Sequence, residues 1–407
     1  TSQEYVWISQ FSTLPLFVER VYPGLEAFAR DFGVTVRVAG PTTVDLAAYI
    51  ATVEQECARG PAGIIVVGGW DPALTEPVNK CIEQQVPVVV TDGDLFQSNR
   101  LSYAGTDWYY LGVAMAEAQI AEHEARGWDT GQIAVISPVQ NENMQRSRQG
   151  IRDTLEGTGI EVVAEEDNNS DAAISAQQTA ALLSAYPDLT GMVGLDSEAG
   201  PGIIAAIDEA GRAGELAVTV NEAGREFLQN IKDGKAQLIT MENYDIMNYL
   251  ALFLLYTWHN DAIRTAGLDP WINNWMPQSV DSGLVLVTEE SVDDVMQYML
   301  EAEESAASEE SKLGETPDGG LIGGSDRASQ EYIWISQFST LPLFVERVYP
   351  GLESFARDFG VDVRVAGPTT VDLAAYIATV EQECAGKPAG IIVVGGWDPA
   401  LTEPVNK

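Results

Sequence analysis

Polar and aromatic side chains recur just after the short apolar segments of this chain. They are Gln10, Phe11, Phe17, Trp70, Asp92, Asp94 and Trp108 in the first part, and Asn143, Gln145, Arg146, Asp196, Asn221 and Glu242 further on. Carboxylates and amides accept paired hydrogen bonds from neighbouring hydroxyls, and an aromatic ring packs on the C–H face of a sugar. The same side chains can instead cage a cation such as a quaternary ammonium. The residue types predict a site for a small polar ligand and leave both ligand classes open.

Some of these positions have structural interpretations that compete with ligand contact. Asp71 and Asp107 both fit helix N-caps. Phe17 fits a core position as well as a ligand-facing one, and Trp108 is evenly divided between core and cleft. Trp70 follows glycines at a strand end, which favours exposure to a cleft.

The sequence carries no catalytic signature. A Gly-x-Ser-x-Gly elbow, a phosphate-binding P-loop, a dinucleotide fingerprint and a His/Cys metal cluster are all missing. His123 and His259 lie in helical patterns and are interpreted as structural. We therefore expect no enzymatic activity, no cofactor and no metal.

The elements that must position these residues follow a strand–helix rhythm. Short β-branched runs that are apolar throughout are typical of strands buried on both faces of a parallel sheet. In the first half they are Tyr5–Ser9, Val34–Val38, Gly63–Val67, Pro87–Thr91 and Leu101–Gly105, and in the second Gln132–Ser137, Ile160–Ala164, Gly191–Leu195, Leu216–Val220 and Leu238–Glu242. Amphipathic helices fill the intervals, among them Phe17–Phe32 and Arg225–Asp233. This pattern predicts an α/β fold of two doubly wound, Rossmann-like lobes, with the site between the carboxyl ends of their strands.

Composition limits the possible partners. The chain has 407 residues with 22 basic and 61 acidic side chains, a formal net charge of −39. This charge disfavours nucleic acid and anionic membranes as partners. No apolar run is long enough to span a bilayer, and no signal peptide is recognisable, which leaves a cytosolic protein or the mature form of an exported one.

Residues 1–300 resemble the type I periplasmic (solute) binding proteins of the ribose/galactose class, which serve ABC importers. The resemblance rests on LPLFVERVYPGLEAFARDFG, IIVVGGWDPALTEPVNKCIEQQVPVVVTDGD, YAGTDWYYLG, LDSEAGPGIIAAIDEAG and IKDGKAQLITMENYD. It implies an extracytoplasmic protein that closes on a sugar or polyol and delivers it to an ABC permease. The ligand positions that carry over are Phe17, Asp92, Gln145 or Arg146, Asp196, Asn221 and Glu242.

The sequence departs from the family pattern at two of those positions and at Gly93, the neighbour of Asp92. Gly93 replaces the arginine that usually follows the aspartate, and Asp196 and Glu242 are acidic where amides are expected. The chain also resembles binding proteins of a trimethylamine-oxide-sensing group. A receptor for a cationic or amine-oxide solute that feeds a signalling system is therefore the alternative function.

The same reasoning divides the chain into segments. One lobe is expected to comprise residues 1–104 and 244–280, and the other residues 105–243 and 281–300. The acidic, glycine-rich segment 301–327 is interpreted as a flexible linker. Cys57 and Cys81 lie on successive helices of the first lobe, where they either form a disulfide or remain buried thiols.

Residues 328–407 repeat residues 1–80 almost without change. The two copies differ only at Thr1/Ala328, Val6/Ile333, Ala27/Ser354, Thr35/Asp362, Arg59/Gly386 and Gly60/Lys387. The lobe has one place for this unit, and the first copy, joined directly to Cys81, is expected to occupy it. The reverse arrangement, with residues 328–407 in the lobe, would bond Cys384 to Cys81. The displaced copy would expose apolar faces and an open strand edge, which predicts a homodimer or a swapped assembly.

Overall fold

The computed structural model describes residues 3–68, 72–139, 141–221, 224–260, 269, 271, 274–308, 313, 330–395 and 405. The chain forms two compact units. Residues 1–260 and 265–318 make the first, here the main body, and residues 261–264 and 319–407 make the second, here the half-lobe. Among the described residues, no helix has the length and apolar character required of a membrane span.

The main body alternates strands and helices along the chain. Its strands are β1 (Glu4–Ile8), β2 (Thr35–Ala39), β3 (Gly63–Val67), β4 (Val88–Thr91), β5 (Ser102–Gly105), β6 (Gly131–Ile136), β7 (Ile160–Glu166), β8 (Gly191–Gly194), β9 (Ala217–Asn221), β10 (Leu238–Glu242), β11 (Ser279–Asp281) and β12 (Leu284–Val287). Its helices are α1 (Pro15–Arg20), α2 (Tyr22–Phe32), α3 (Leu46–Arg59), α4 (Thr75–Glu83), α5 (Trp108–Arg126), α6 (Glu142–Leu155), α7 (Ala172–Ala185), α8 (Ala199–Glu209), α9 (Gln229–Lys232), α10 (Tyr244–His259) and α11 (Val292–Ser308).

The strands form two six-stranded sheets, one in each lobe. The first has the order β11-β5-β4-β3-β1-β2 and the second β12-β10-β9-β8-β6-β7. All pairings are parallel except that of β12 with β10. Every residue of β3 is buried, as the unbroken apolar run predicts for a central parallel strand. The predicted α/β fold of two doubly wound lobes is confirmed.

The chain passes between the lobes at three points. These are the joins from β5 to α5, from β10 to α10, and from β11 to β12. Helix α5 packs against α6 of the second lobe, whereas α10 packs against α2 of the first. The joins lie beside the lobe borders predicted at 104/105, 243/244 and 280/281.

Several predicted elements differ from those observed. The helix expected over Phe17–Phe32 breaks at Val21, because Pro23 in the first turn of α2 has no N–H to continue a helical ladder. Strand β11 is unpredicted, since Ser-Val-Asp offers no apolar run. Of the linker expected over 301–327, residues 301–308 are instead the end of α11. A helix over Arg225–Asp233 is replaced by the 3₁₀ turn Arg225–Leu228 and the short α9.

The first copy of the repeated sequence completes the first lobe. Strand β1 lies between β2 and β3, and β3 pairs with β4 in parallel register. Helix α3 carries Cys57 and α4 carries Cys81, and the two form a disulfide with their Cα atoms 5.3 Å apart. Cys384 in the second copy is a free thiol. The first copy, which is joined directly to Cys81, therefore occupies the lobe.

The half-lobe repeats the local structure of the first copy. It contains β13 (Glu331–Ile335), α12 (Tyr349–Phe359), β14 (Asp362–Ala366), α13 (Leu373–Ala385) and β15 (Gly390–Val393). Its parallel sheet has the order β14-β13-β15, which matches β2-β1-β3. A small core surrounds Ile333, Ile335, Tyr376 and Val380. A π-helical segment, Phe344–Val348, stands where the first copy has α1.

Candidate functional site

The carboxyl ends of the two sheets border a cleft of about 320 Å³ within the main body. Strand-end loops and helix starts from both lobes supply its walls, as expected for facing doubly wound sheets. The described lining residues are Gln10, Phe11, Leu14, Leu16, Phe17, Val44, Val67, Asp92, Gly93, Trp108, Asn141, Asn143, Met144, Asp196, Ser197, Asn221, Glu242 and Tyr244. The volume is at the lower end of the range for small-molecule sites.

Asp92 lies at the end of β4 in a left-handed conformation, with φ of +66°. Its backbone is held from two sides. The N–H points to Met247 Sδ at 3.2 Å, and the carbonyl accepts a hydrogen bond of 2.6 Å from Tyr103 Oη. Trp108 Nε1 donates to the same Tyr103 hydroxyl at 3.3 Å. The backbone of Asp92 is thereby held at the cleft wall by residues of three elements, and the residue is partly buried.

On the second lobe, Glu242 is oriented by an amide network. Thr240 Oγ1 donates to Asn221 Oδ1 at 2.9 Å, and Asn221 Nδ2 donates to Glu242 Oε1 at 3.1 Å. All three side chains are buried at the ends of the neighbouring strands β9 and β10. The network sets the direction of the Asn221 amide, so that its N–H rather than its oxygen faces the carboxylate.

Asp196 and Asn143 each present a buried oxygen without a partner. Asp196 follows β8, and its Oδ1 accepts from Asn168 Nδ2 at 2.9 Å, while Oδ2 has no hydrogen bond. Asn143 lies in the first turn of α6, and its Oδ1 is also without a partner. Buried acceptors in folded proteins are nearly always satisfied, so these two oxygens point to a ligand or water in the cleft.

Burial raises the pKa values of the cleft carboxyls. Loss of hydration, followed by repulsion from Glu242, raises the pKa of Asp92 to about 7. Loss of hydration raises the pKa of Asp196 to about 6 against the hydrogen bond from Asn168. Burial also raises the pKa of Glu242, which the Asn221 hydrogen bond and the charge of Arg20 partly offset. Desolvation dominates at all three groups.

Aromatic rings form part of the same walls. Phe17 is buried and packs edge-on against Trp7, with ring centroids 5.2 Å apart, so its cleft and core interpretations both hold. Trp108 is likewise buried and lines the cleft, while its carbonyl accepts a hydrogen bond of 2.6 Å from Ser147 Oγ. Asp107 caps α5 through the backbone N–H groups of Tyr109 and Tyr110, as predicted.

Nine of the predicted site residues line the cleft and three do not. Those that do are Gln10, Phe11, Phe17, Asp92, Trp108, Asn143, Asp196, Asn221 and Glu242. Asp94 instead forms an ion pair with Arg100, including a contact of 2.5 Å from Nη2 to Oδ2. Gln145 is exposed and donates to the Val139 carbonyl, and Arg146 is exposed too. Trp70 and Asp71 lie outside the described residues.

A second cavity of about 300 Å³ lies beside the joins between the lobes. The Asp94–Arg100 pair and Trp108 contribute to its lining. Arg146 from the second lobe lies over the Phe96 ring of the first, 5.5 Å from its centroid. Asp94 and Arg146 are therefore placed at the hinge side of the cleft rather than within it.

Several cleft residues were absent from the predicted set. Tyr244 begins α10 just after the end of β10, so its position near a strand end could have indicated a cleft residue. Asn141 both lines the cleft and caps α6 through the N–H groups of Asn143 and Met144. Leu14 and Leu16 form an apolar rim that no polar motif could reveal.

The histidines do not take part in the site. His123 is buried, with Nδ1 2.7 Å from the Gln119 carbonyl and Nε2 2.8 Å from Thr190 Oγ1. His259 packs edge-on against Tyr5. Both are structural, as predicted. The described part of the chain holds no group of His, Cys, Asp and Glu side chains that could bind a metal ion.

Comparison with known proteins identifies the family. The model of the periplasmic binding protein domain matches residues 5–258. A D-ribose/D-allose-binding protein of Pseudomonas aeruginosa is 23% identical over 197 residues, which cover 47% of this chain and 61% of that protein. The match thus spans less than two thirds of that relative.

Solved structures give the same result for the fold. AraP, an arabinose binding protein from Geobacillus stearothermophilus, matches with a TM-score of 0.64 and 26% identity over 72% of this chain and 99% of its own. A sugar ABC transporter (sugar-binding protein) from Bacillus halodurans matches with a TM-score of 0.65 and 28% identity over 72% and 99%. With the family model spanning more than half of the sequence, the chain belongs to the periplasmic binding protein domain family.

Proposed function

We propose that the main body is an extracytoplasmic receptor that captures a sugar or polyol and delivers it to an ABC permease. The observation that carries this proposal is the cleft itself, in which Asp92, Asp196 and Glu242 converge from both lobes with Asn143 and Asn221. These groups suit the hydroxyls of a small polyol. The binding proteins named above, reported to bind ribose or allose, arabinose and sugar, support the choice of ligand class.

Capture follows from the arrangement of the two lobes. Ligand groups that bridge Asp92 on one lobe and Asp196 or Glu242 on the other stabilise the lobes in contact with each other. The three joins at β5–α5, β10–α10 and β11–β12 are short segments that can absorb a hinge rotation. The aromatic walls of Phe17 and Trp108 supply apolar faces for a sugar ring. The mature protein would act outside the cytoplasm, where a permease receives the closed form.

A thermal-shift screen with neutral sugars, polyols, amino sugars and quaternary amines tests the proposal. A bound sugar raises the melting temperature because it binds only the folded state. Asp92→Asn keeps a side chain that tolerates positive φ but removes the charge, so the ligand-induced shift should disappear while the apo melting temperature changes by less than about 2 °C. Asp188→Asn, on an exposed surface, is the matched control. Stabilisation by quaternary amines alone, or by no sugar or polyol, contradicts the proposal.

We also propose that the half-lobe joins two chains into a homodimer. Its support is the exposure of Phe355, Ile392 and Leu343, at 38%, 54% and 59%. Each chain carries two copies of the unit but only one set of first-lobe elements that can cover the apolar faces of a copy. If two chains exchange units, one copy in each chain still has exposed apolar faces. Pairing of these two uncovered copies buries the apolar faces of both. Light scattering should give a dimer that Ile392→Lys dissociates; a monomer for the unsubstituted chain contradicts this.

A further inference from the structure

Among the described lining residues of the cleft, the two buried side-chain atoms that lack hydrogen-bond partners are both acceptors. Asp196 Oδ2 and Asn143 Oδ1 are buried without a hydrogen bond, and both residues are 4% exposed. The amide networks direct the N–H groups of Asn168 and Asn221 towards carboxylates of the protein. A ligand that satisfies these two oxygens must bring hydrogen-bond donors, because the Asn168 and Asn221 amides already donate to carboxylates of the protein.

The cleft is also rich in negative charge. Asp92, Asp196 and Glu242 line it, and among its described lining residues there is no lysine, arginine or histidine. Two guanidinium groups outside the lining act on these carboxyls: Arg20, at the end of α1, favours the ionised form of Glu242, and the buried Arg148 of α6 is coupled to Asp196. Arg148 also pairs with Glu165, so the three cleft carboxylates remain in excess over the positive charge.

A neutral sugar would satisfy the unpaired acceptor oxygens of the cleft but not its excess negative charge. Its hydroxyls can donate to the free oxygens, but closure around it would enclose carboxylates without compensating charge, which is costly in a desolvated site. A protonated amine both donates three hydrogen bonds and compensates charge. We infer that the ligand is a sugar carrying a protonated amine, that is, an amino sugar; this rests on the proposed function.

The protonation of the cleft gives the inference a pH dependence. With the pKa of Asp92 near 7 and that of Asp196 near 6, the empty cleft holds protons in mildly acidic solution. An ammonium group favours the ionised carboxyls and displaces those protons. Affinity should therefore rise as the pH increases from about 5 to 7, while the amine remains protonated. Burial raises the pKa values of Tyr49, Tyr103 and Tyr244, which are coupled to Asp92, so these phenols stay neutral over that range. The charges of Glu198 and Arg148 act on Asp196, and that of Arg20 acts on Glu242.

Matched ligand pairs test the inference by isothermal titration calorimetry at pH 7. Glucosamine, galactosamine and mannosamine are each compared with the neutral parent sugar and with the N-acetyl derivative, which has the same nitrogen but no charge. At least one amino sugar should bind about tenfold or more tightly than both of its neutral counterparts. Its affinity should weaken at pH 5, where a neutral sugar would change less.

Charge-removing variants locate the effect. Glu242→Gln and Asp196→Asn should each reduce the preference for the amino sugar over its neutral parent, whereas Asp188→Asn leaves it unchanged. Neutral sugars that bind as tightly as amino sugars, or a preference that survives both cleft variants, overturn the inference but leave the proposed function standing. Binding of quaternary amines without any sugar overturns both.

Discussion

Residues 1–80 and 328–407 have nearly the same sequence but different environments. On one face of the unit the two copies agree, since Tyr49 and Tyr376 are both 1% exposed. On the other they differ sharply. Phe28 is fully buried while Phe355 is 38% exposed, and Ile65 is fully buried while Ile392 is 54% exposed. The sequence of the unit therefore forms its strands and helices in both places but buries its second face in only one.

The difference comes from α10. In the main body this helix packs on α2 and β3, and Asn248 accepts a hydrogen bond of 2.9 Å from Trp7 Nε1. Within the half-lobe, no described element takes that position on α12 and β15. One face of the first copy is thus covered by residues 244–259, which lie far from it in the chain. Local structure is encoded within the repeat, whereas this part of its core is not.

The largest test of the comparison is a matched pair of phenylalanine truncations. Phe28→Ala removes a fully buried ring that stacks on Phe32 and meets Tyr249 edge-on, and should cost about 3–5 kcal/mol. Phe355→Ala at the equivalent position, 38% exposed within one chain, should cost less than about 1 kcal/mol at concentrations where the protein is monomeric. Hydrogen exchange measured by mass spectrometry can report both units of the intact chain. Peptides that span Ala27/Ser354 or Thr35/Asp362 distinguish the copies by mass. Equal losses in the monomer would show that the face of α12 is covered within the chain, whereas a larger loss for Phe355→Ala only at dimer-forming concentrations would agree with the proposed homodimer.

A second test uses the cysteines. Cys57→Ser removes the disulfide that closes a loop between positions 24 residues apart and should cost the main body about 2–4 kcal/mol. Cys384→Ser removes only a free thiol of the half-lobe and should leave the main body unchanged. Peptide mapping without reductant checks the arrangement directly. A Cys81–Cys384 peptide in the unsubstituted protein would reverse the assignment of the two copies.

The smallest effects are expected at a pair of glycines. A Cβ at Gly24 would overlap the backbone carbonyl of Asp245 in α10, whereas one at Gly351 has no atom within 4 Å. Gly24→Ala should therefore cost about 1–3 kcal/mol by separating α2 from α10. Gly351→Ala should stabilise α12 by up to about 1 kcal/mol, since alanine favours a helix. Thermal melts with the ligand present and absent measure both; destabilisation by Gly351→Ala would indicate a neighbour packed on that face.

Sequence patterns predicted the elements whose residues all have the same environment, such as a strand that is buried on both faces. The limits of β3 match at both ends, because a fully apolar run bounded by glycine fits only a central parallel strand. The short β11 was missed, since its residues are polar and it is defined by pairing with β5 rather than by its own composition.

A geometric reason explains why some of the predicted site residues line the cleft and others do not. Asp92, Asp196 and Asn221 end or directly follow parallel strands, so their position alone brings them to the cleft. Gln145 is turned by about 200° from Asn143 around α6 and donates to the Val139 carbonyl. Arg146, nearly one turn beyond Asn143, reaches the Phe96 ring at the second cavity instead. Asp94 was misplaced because Arg100 lies within ion-pairing distance, which no spacing rule along the sequence specifies.

The bond between Cys57 and Cys81 also links the first copy of the repeated unit covalently to the lobe. Residues 1–80 leave the ribosome beside their partner segment, and residues 328–407 follow only after that segment is complete. Once Cys57 and Cys81 are oxidised, the second copy no longer competes with the first for the same place in the lobe. Any later replacement by the second copy needs a thiol to open the bond, and the competing thiol, Cys384, is carried by the excluded copy itself. The disulfide thereby makes the placement of the first copy in the lobe covalent.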